Sequence, residues 1–139
     1  MNNYVKTIIT MQDFFYIKDG SKNFQVLFSE ILYIEAKDKY AILVTTREKH
    51  SVLQSLHNIE KSLPGKLFCR IHRSYIISLI HTKCFDHNNA YVGNRKLPIG
   101  KHYKEVLPKR VLVVGNEPAP FINLSDFDML NLFRKIRPN

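Results

Sequence analysis

The feature that most limits the fold is a series of short apolar blocks separated by tight turn signals. FFYI, NFQVLF, ILYIEA and YAILVTT are rich in β-branched and aromatic residues, the composition that suits a pleated strand. Asp19-Gly20, Asp38-Lys39 and Gly93-Asn94 separate such blocks, and Asp, Asn and Gly are the residues that reverse a chain within a few steps. Blocks this close together pair as antiparallel hairpins, because a parallel crossover needs a dozen or more intervening residues. The expected class is mainly β, an α+β fold with a minor helical part.

Strands are expected over residues 14–17, 23–28, 31–36, 40–46, 50–53, 68–72, 82–86, 90–92 and 95–99. The period changes at Leu53, Leu56, Ile59 and Leu63, which recur at spacings of three and four, as on one face of an amphipathic helix. Ser55 with Asn58 starts that helix, and Pro64-Gly65 stops it. Ser74 reads as the N-cap of a short helix or turn over Tyr75, Ile76, Ile77 and Leu79. Residues 101–107 read as a helix that ends at Pro108, and Val111 to Val114 as one more strand. GNEPAP, with two prolines and one glycine in six residues, has the composition of a linker. Residues 124–136 form an amphipathic pattern, capped by Ser125 or Asp126, with Leu130, Leu132, Phe133 and Ile136 on one side. That helix would fold back on the core or dock on a neighbouring chain.

The chain has 139 residues, the size of one ordinary domain, and 45% of them are apolar, enough for one core. No apolar run approaches the roughly 20 residues that span a bilayer. The N-terminus lacks the basic and long apolar regions of a secretory leader. A cytoplasmic location and no membrane partner are expected by default. Two cysteines, Cys69 and Cys84, are too few for a multi-bridge framework and are expected as buried thiols.

Charge is distributed unevenly. The net charge is +9, and residues 66–110 hold ten basic against two acidic residues. That third therefore carries +8 of the excess, together with four of the six histidines. Concentrated positive charge is the footprint of a polyanion, most often nucleic acid.

Catalytic signatures are missing: there is no GxSxG, GxxxxGK[ST], GxGxxG or HExxH. Cys69 and His72 lie three apart, so on a strand they point to opposite faces and would not act as nucleophile and base. Cys69-x-x-His72 and His81-x-x-Cys84 have the spacing of zinc ligands. Their flanks are crowded with Ile, Leu and Phe and lack a tight Gly-rich turn, so buried cysteines and surface histidines are the favoured account. No enzyme activity, metal or other cofactor is expected.

Arg70, Arg73, Lys83, Arg95, Lys96 and Lys101 all fall at or beside expected turns. A single such Arg is most simply a solvated strand end. Six of them within 32 residues make a ridge of loops that can enter a DNA groove, where Arg reads guanine and Asn reads adenine. Helix starts after Ser74 and near Lys101 would add backbone N–H groups for phosphates. An RNA-binding sheet would expose its aromatics, yet Phe14, Phe28, Tyr33, Phe68 and Phe85 sit among apolar neighbours and read as core. RNA binding is the weaker alternative.

ILYIEAKDKYAILVTT, SLHNIEKSLPG, LFCRIHRSYIISL and RKLPIGKHYKEVL together resemble the LytTR (LytR/AlgR-type) DNA-binding domain of bacterial transcription regulators, over about residues 12–110. The most specific part is F-x-R-I-H-R-S-Y-I-I, Phe68 to Ile77. The resemblance implies an elongated, mostly β fold that presents loops to successive major grooves of double-stranded DNA. It implies contacts from three places: Lys37, Lys39 and Tyr40; Arg73 after the motif histidine; and Lys101 with His102. Ser74, Lys83, Arg95 and Lys96 join them as candidate DNA contacts on their position and charge. Arg70 either touches phosphate or braces the sheet beside a carboxylate such as Glu35. Gly100, Lys101 and Ser78 stand where the family often has Ser, Arg and Asn, and a lysine lacks arginine's bidentate fork.

The resulting division is an N-terminal lead (1–11), a LytTR-like domain (12–110) and a C-terminal extension (111–139). Family members bind paired direct repeats, which implies two copies per site or a homodimer. Regulators of this type usually carry a receiver domain, which the eleven leading residues are too few to form. A partner-binding or inhibitory module that docks on another regulator is therefore a second reading.

Overall fold

The computed structural model describes residues 13–115. They form ten strands and two short helices: β1 (Phe14–Asp19), β2 (Lys22–Leu27), β3 (Ile31–Lys37), β4 (Tyr40–Thr45), β5 (Lys49–Val52), α1 (Leu56–Lys61), β6 (Phe68–His72), β7 (Tyr75–Ser78), β8 (Thr82–Phe85), β9 (Asn89–Val92), β10 (Arg95–Pro98) and α2 (Val106–Arg110). All pairings are antiparallel. The class is mainly β, as the short blocks dictate.

Three sheets build the domain: the β1–β2 hairpin, a five-stranded sheet in the order β5-β4-β3-β7-β6, and a three-stranded sheet in the order β10-β9-β8. The five-stranded sheet is apolar on both faces. On one side Ile34, Leu43, Phe68 and Ile76 pack with Ile17 and Val26 of the hairpin and with Leu56 and Ile59 of α1. On the other side Tyr33, Cys69, Ile71 and Ile77 pack with Ala90, Val92 and Leu97 of the three-stranded sheet and with Leu107 of α2. Each fully buried Ile or Leu contributes about 1.5–3 kcal/mol of transfer free energy.

This layering explains where the sequence misleads. Residues 75–78 are strand β7, rather than a helix capped by Ser74. β7 lies between β3 and β6, with Ile76 facing one core and Ile77 the other. A strand covered on both faces loses the polar alternation that marks an ordinary strand, and a run such as YIIS then reads equally as helix. Ser74 belongs to the two-residue β6–β7 turn, in which His72 pairs with Tyr75.

Smaller departures have local causes. Leu53 precedes α1 and is 65% exposed, so the apolar face of the helix is carried by Leu56 and Ile59. Ser55 does cap it, accepting the Asn58 N–H at 3.1 Å. Residues 101–103 make a single 3-10 turn, and Pro108 sits in the first turn of α2, where its missing N–H breaks no helical bond. Residues 111–114 pair with no strand among the described residues, and Leu112, Val113 and Val114 are exposed. Cys69 is buried but Cys84 is exposed. Phe28, Tyr33 and Phe68 are core, whereas Phe14 and Phe85 are half-buried. The expected helix over 124–136 lies outside the described residues.

One buried group is left over. Ser78 has 0% exposure, and its hydroxyl has no hydrogen-bond partner among the described residues. Burying an unpaired hydroxyl is costly, and removing it is not. Ser78→Ala is expected to leave stability unchanged or raise it by up to about 1 kcal/mol. Ile77→Ala, beside it in the core, should cost about 2–5 kcal/mol. Urea unfolding of the two variants checks both.

Candidate nucleic-acid interface

The strand register brings three loops to one end of the five-stranded sheet. Lys37 pairs with Tyr40 across the β3–β4 turn, Glu35 pairs with Tyr75, and Tyr75 pairs with His72. The β6–β7 turn therefore lies beside the β3–β4 turn, and the Ala36 N–H donates to the Ser74 carbonyl at 2.9 Å. On the other flank the Gly100 N–H donates to the Ile71 carbonyl at 2.7 Å. Gly100 comes so close that a Cβ there would meet the His72 Cα and Cδ2 at 3.4 Å and the Tyr103 ring at 3.1 Å. Glycine thus lets the Lys101–His102 segment sit against the turn.

Arg70 and His72 fix the turn between them. The Arg70 Nε donates to the His72 carbonyl at 2.8 Å and a terminal nitrogen donates to the Arg73 carbonyl at 2.7 Å. Its other terminal nitrogen pairs with Glu60 Oε1 of α1 at 3.1 Å. The guanidinium is thus engaged inside the protein, as the brace alternative anticipates. Its carboxylate is Glu60 rather than Glu35, whose Oε2 instead accepts the Tyr75 hydroxyl at 3.2 Å. Burial and then the Glu35 charge raise the Tyr75 pKa, keeping that hydroxyl a donor.

His72 Nδ1 accepts the Ser74 N–H at 2.9 Å. The Ser74 N–H is satisfied within the turn and its carbonyl by Ala36 of β3, so no helix start offers that N–H to a phosphate. Ser74 remains half-buried at the tip. Arg73 projects outward: it is exposed, and no hydrogen bond or ion pair to a described residue holds its side chain.

The sequence candidates divide into two groups. Lys37, Lys39, Tyr40, Arg73, Lys101 and His102 are exposed at the loop end, around Ser74. Asp38 completes the first turn with φ at 55°, a left-handed conformation that Asp tolerates. Lys83, Arg95 and Lys96 instead border a shallow hollow with Cys84, Tyr91, Gly93 and Asn94 on the three-stranded sheet. Arg95 is partly committed: it donates to the Tyr33 hydroxyl at 2.7 Å and stacks 5.4 Å from that ring's centre.

Lys104, which the sequence did not single out, braces the third loop by donating to the Ile99 carbonyl at 2.8 Å. Arg110 donates to the carbonyls of Gly65 and Phe68 and pins α2 to the start of β6. Nothing in sequence spacing marks the long-range partners of Arg110. Among the described residues no three His, Cys, Asp or Glu side chains gather as metal ligands. Cys69 is buried in the second core and its thiol pKa is raised, chiefly by burial. No helix of the described residues is long and apolar enough to cross a membrane.

Exposed cationic loops on a rigid antiparallel scaffold are the build of a nucleic-acid-binding module. The chain belongs to the LytTr DNA-binding domain family, which matches residues 21–111. It is 32% identical over 80 residues to the transcriptional regulatory protein NatR of Bacillus subtilis, covering 58% of this chain and 34% of NatR. It is 28% identical over 60 residues to the sensory transduction protein LytR of Staphylococcus epidermidis, covering 43% of this chain and 24% of that protein. A solved LytTr DNA-binding domain from Bacillus cereus shares the fold with a TM-score of 0.62 at 26% identity, covering 72% of this chain and 97% of that domain. The chain thus spans about a third or less of these two proteins' length.

The His72 bond makes the turn sensitive to acid. Burial, then the Arg73 and Arg70 charges, lower its pKa from the ordinary 6.5. The unfolded chain therefore takes up this proton first as pH falls. The stability His72 contributes is present above about 6.5 and is lost as pH drops below it. Between about pH 7.5 and pH 5.5, His72→Gln should lose less stability than the parent chain, measured by denaturant unfolding.

Proposed function

We propose that the chain binds duplex DNA sequence-specifically as part of a bacterial transcriptional regulator. The loop end enters successive major grooves. Arg73, Lys101 and the Lys37–Tyr40 turn meet base edges, with His102 and Ser74 beside them. Lys83, Arg95 and Lys96 act on phosphates, where charge without fixed geometry suffices. Arg70 acts through the turn it holds, as a positioning residue. The observation that carries this reading is Arg73: an outward, unengaged guanidinium on a turn whose backbone is bonded on every side. Such a group keeps its fork for bidentate pairing with guanine. Two copies on direct repeats fit a domain that offers one such loop end.

A regulatory protein partner is a second reading, favoured by the exposed run Leu112, Val113 and Val114, an apolar surface without a partner among the described residues. RNA binding loses ground, because Phe28, Tyr33 and Phe68 are buried and form no stacking platform.

Arg73→Ala is expected to cost about 1–3 kcal/mol of discrimination between the preferred duplex and a scrambled one. Lys83→Ala should weaken both duplexes alike and flatten the salt dependence by about one unit of slope. Fluorescence anisotropy at several salt concentrations measures both. An unchanged preference in Arg73→Ala would remove this residue from the base-reading set.

A further inference from the structure

Beside the first loop lies an open cleft of about 990 Å³ that takes one side from that loop and lies outside the basic third of the chain. One wall is the β1–β2 turn, with Lys18, Asp19 and Gly20. The other is the β3–β4 turn, with Lys37, Asp38 and Tyr40. Ile42, Val52 and Leu53 close the floor, with Ser51 and Gln54 at its margin. The two walls are held together by the packing of Ile17 and Val26 on the sheet and by a polar tether. Asp19 Oδ2 accepts the Ser51 N–H at 3.2 Å and contacts His50 Nδ1 at 3.3 Å, tying the β1–β2 hairpin to β5 at the loop end of the sheet.

We infer that this cleft holds the sugar-phosphate backbone of one strand of the same duplex, making the β1–β2 hairpin a fourth contact element. The inference rests on the DNA-binding reading above and extends its surface.

Three observations carry it. First, charge: Lys18 and Lys37 line the cleft from its two hairpins, and Lys22 and Lys39 stand exposed on the same hairpins. Two ammonium groups line the cleft against Asp19 and Asp38, with two more exposed on the same hairpins, and Asp19 is already engaged. An ammonium is a strong point charge for phosphate and needs no bidentate geometry. Second, part of the lining is apolar and accessible. Leu53 is 65% exposed and Tyr40 44% exposed, which suits the carbon face of deoxyribose better than water. Cationic walls over an apolar floor match a polyanion whose repeating unit is phosphate and sugar. Third, continuity: Lys37 and Tyr40 belong both to the cleft and to the first loop, so a duplex engaged by that loop passes over the opening.

The test measures binding of the full chain to two labelled duplexes. One carries the sequence recovered by selection from a random pool, and the other a scrambled version. Lys18→Glu and Leu53→Glu should each weaken both duplexes by about tenfold, and Lys18→Glu should lower the salt slope by about one or more. The ratio between the two duplexes should stay unchanged. Lys18→Arg should bind like the parent, and Lys18→Gln should fall between the parent and Lys18→Glu. Both positions are at the surface, and melting temperatures close to the parent's confirm folding. If both glutamate variants bind like the parent while Arg73→Ala loses its preference, the DNA reading stands and the cleft inference is overturned. If the parent binds neither duplex, the DNA reading falls and the cleft inference with it.

Discussion

The loop end depends on the Arg70 guanidinium. It reaches from β6 to the carbonyls of His72 and Arg73 and to the carboxylate of Glu60 on α1. Hydrogen bonds from a charged donor contribute about 1.5–3 kcal/mol each when sheltered, and Arg70 is only 18% exposed. Glu60 is more open, so its share is smaller. The planar fork fits these divergent acceptors in a way a lysine does not. With the turn held by one arginine, the next one, Arg73, is free to face outward.

The clamp works because the sheet beneath it is rigid. β7 is covered on both faces, so its ends move only if two cores move with it. β3 transmits the same constraint to the Lys37–Tyr40 turn through the Ala36–Ser74 bond. Gly100 and Lys104 set the third loop against His72. Electrostatics follow from this layout. Lys37, Lys39, Arg73 and Lys101 concentrate positive charge at one end, the field that the proposed duplex would meet. Lys83, Arg95 and Lys96 place a second patch on the outer sheet.

Much of the fold was legible because hairpins are local. The turn pairs Asp19-Gly20, Asp38-Lys39 and Gly93-Asn94 fixed where strands reverse, and Ser55 and Pro64 bracketed α1. β7 was not legible, since burial on both faces erases the alternation that identifies a strand. The failed strand at 111–114 has the converse cause: β-branched residues suit a strand only when a neighbour offers an edge. For the candidate site, the motif marked Arg73 and Lys101 by position. It did not reveal that Arg70 faces inward to Glu60, because a partner ten residues away on a helix leaves no periodic trace. Lys18 was not singled out for a related reason: it lies far from the basic third and is brought beside the first loop by the Asp19 tether and by the packing of Ile17.

The central claim is that a turn held by Arg70 presents cationic side chains for sequence reading. Selection from a random-sequence duplex pool, run at low and at near-physiological salt, tests it most directly. The account predicts one enriched motif at both concentrations, with weaker overall recovery at high salt as phosphate contacts are screened. Arg70→Lys, selected in parallel, should recover the pool with the motif blurred. Recovery without any enriched motif at either salt would contradict the account.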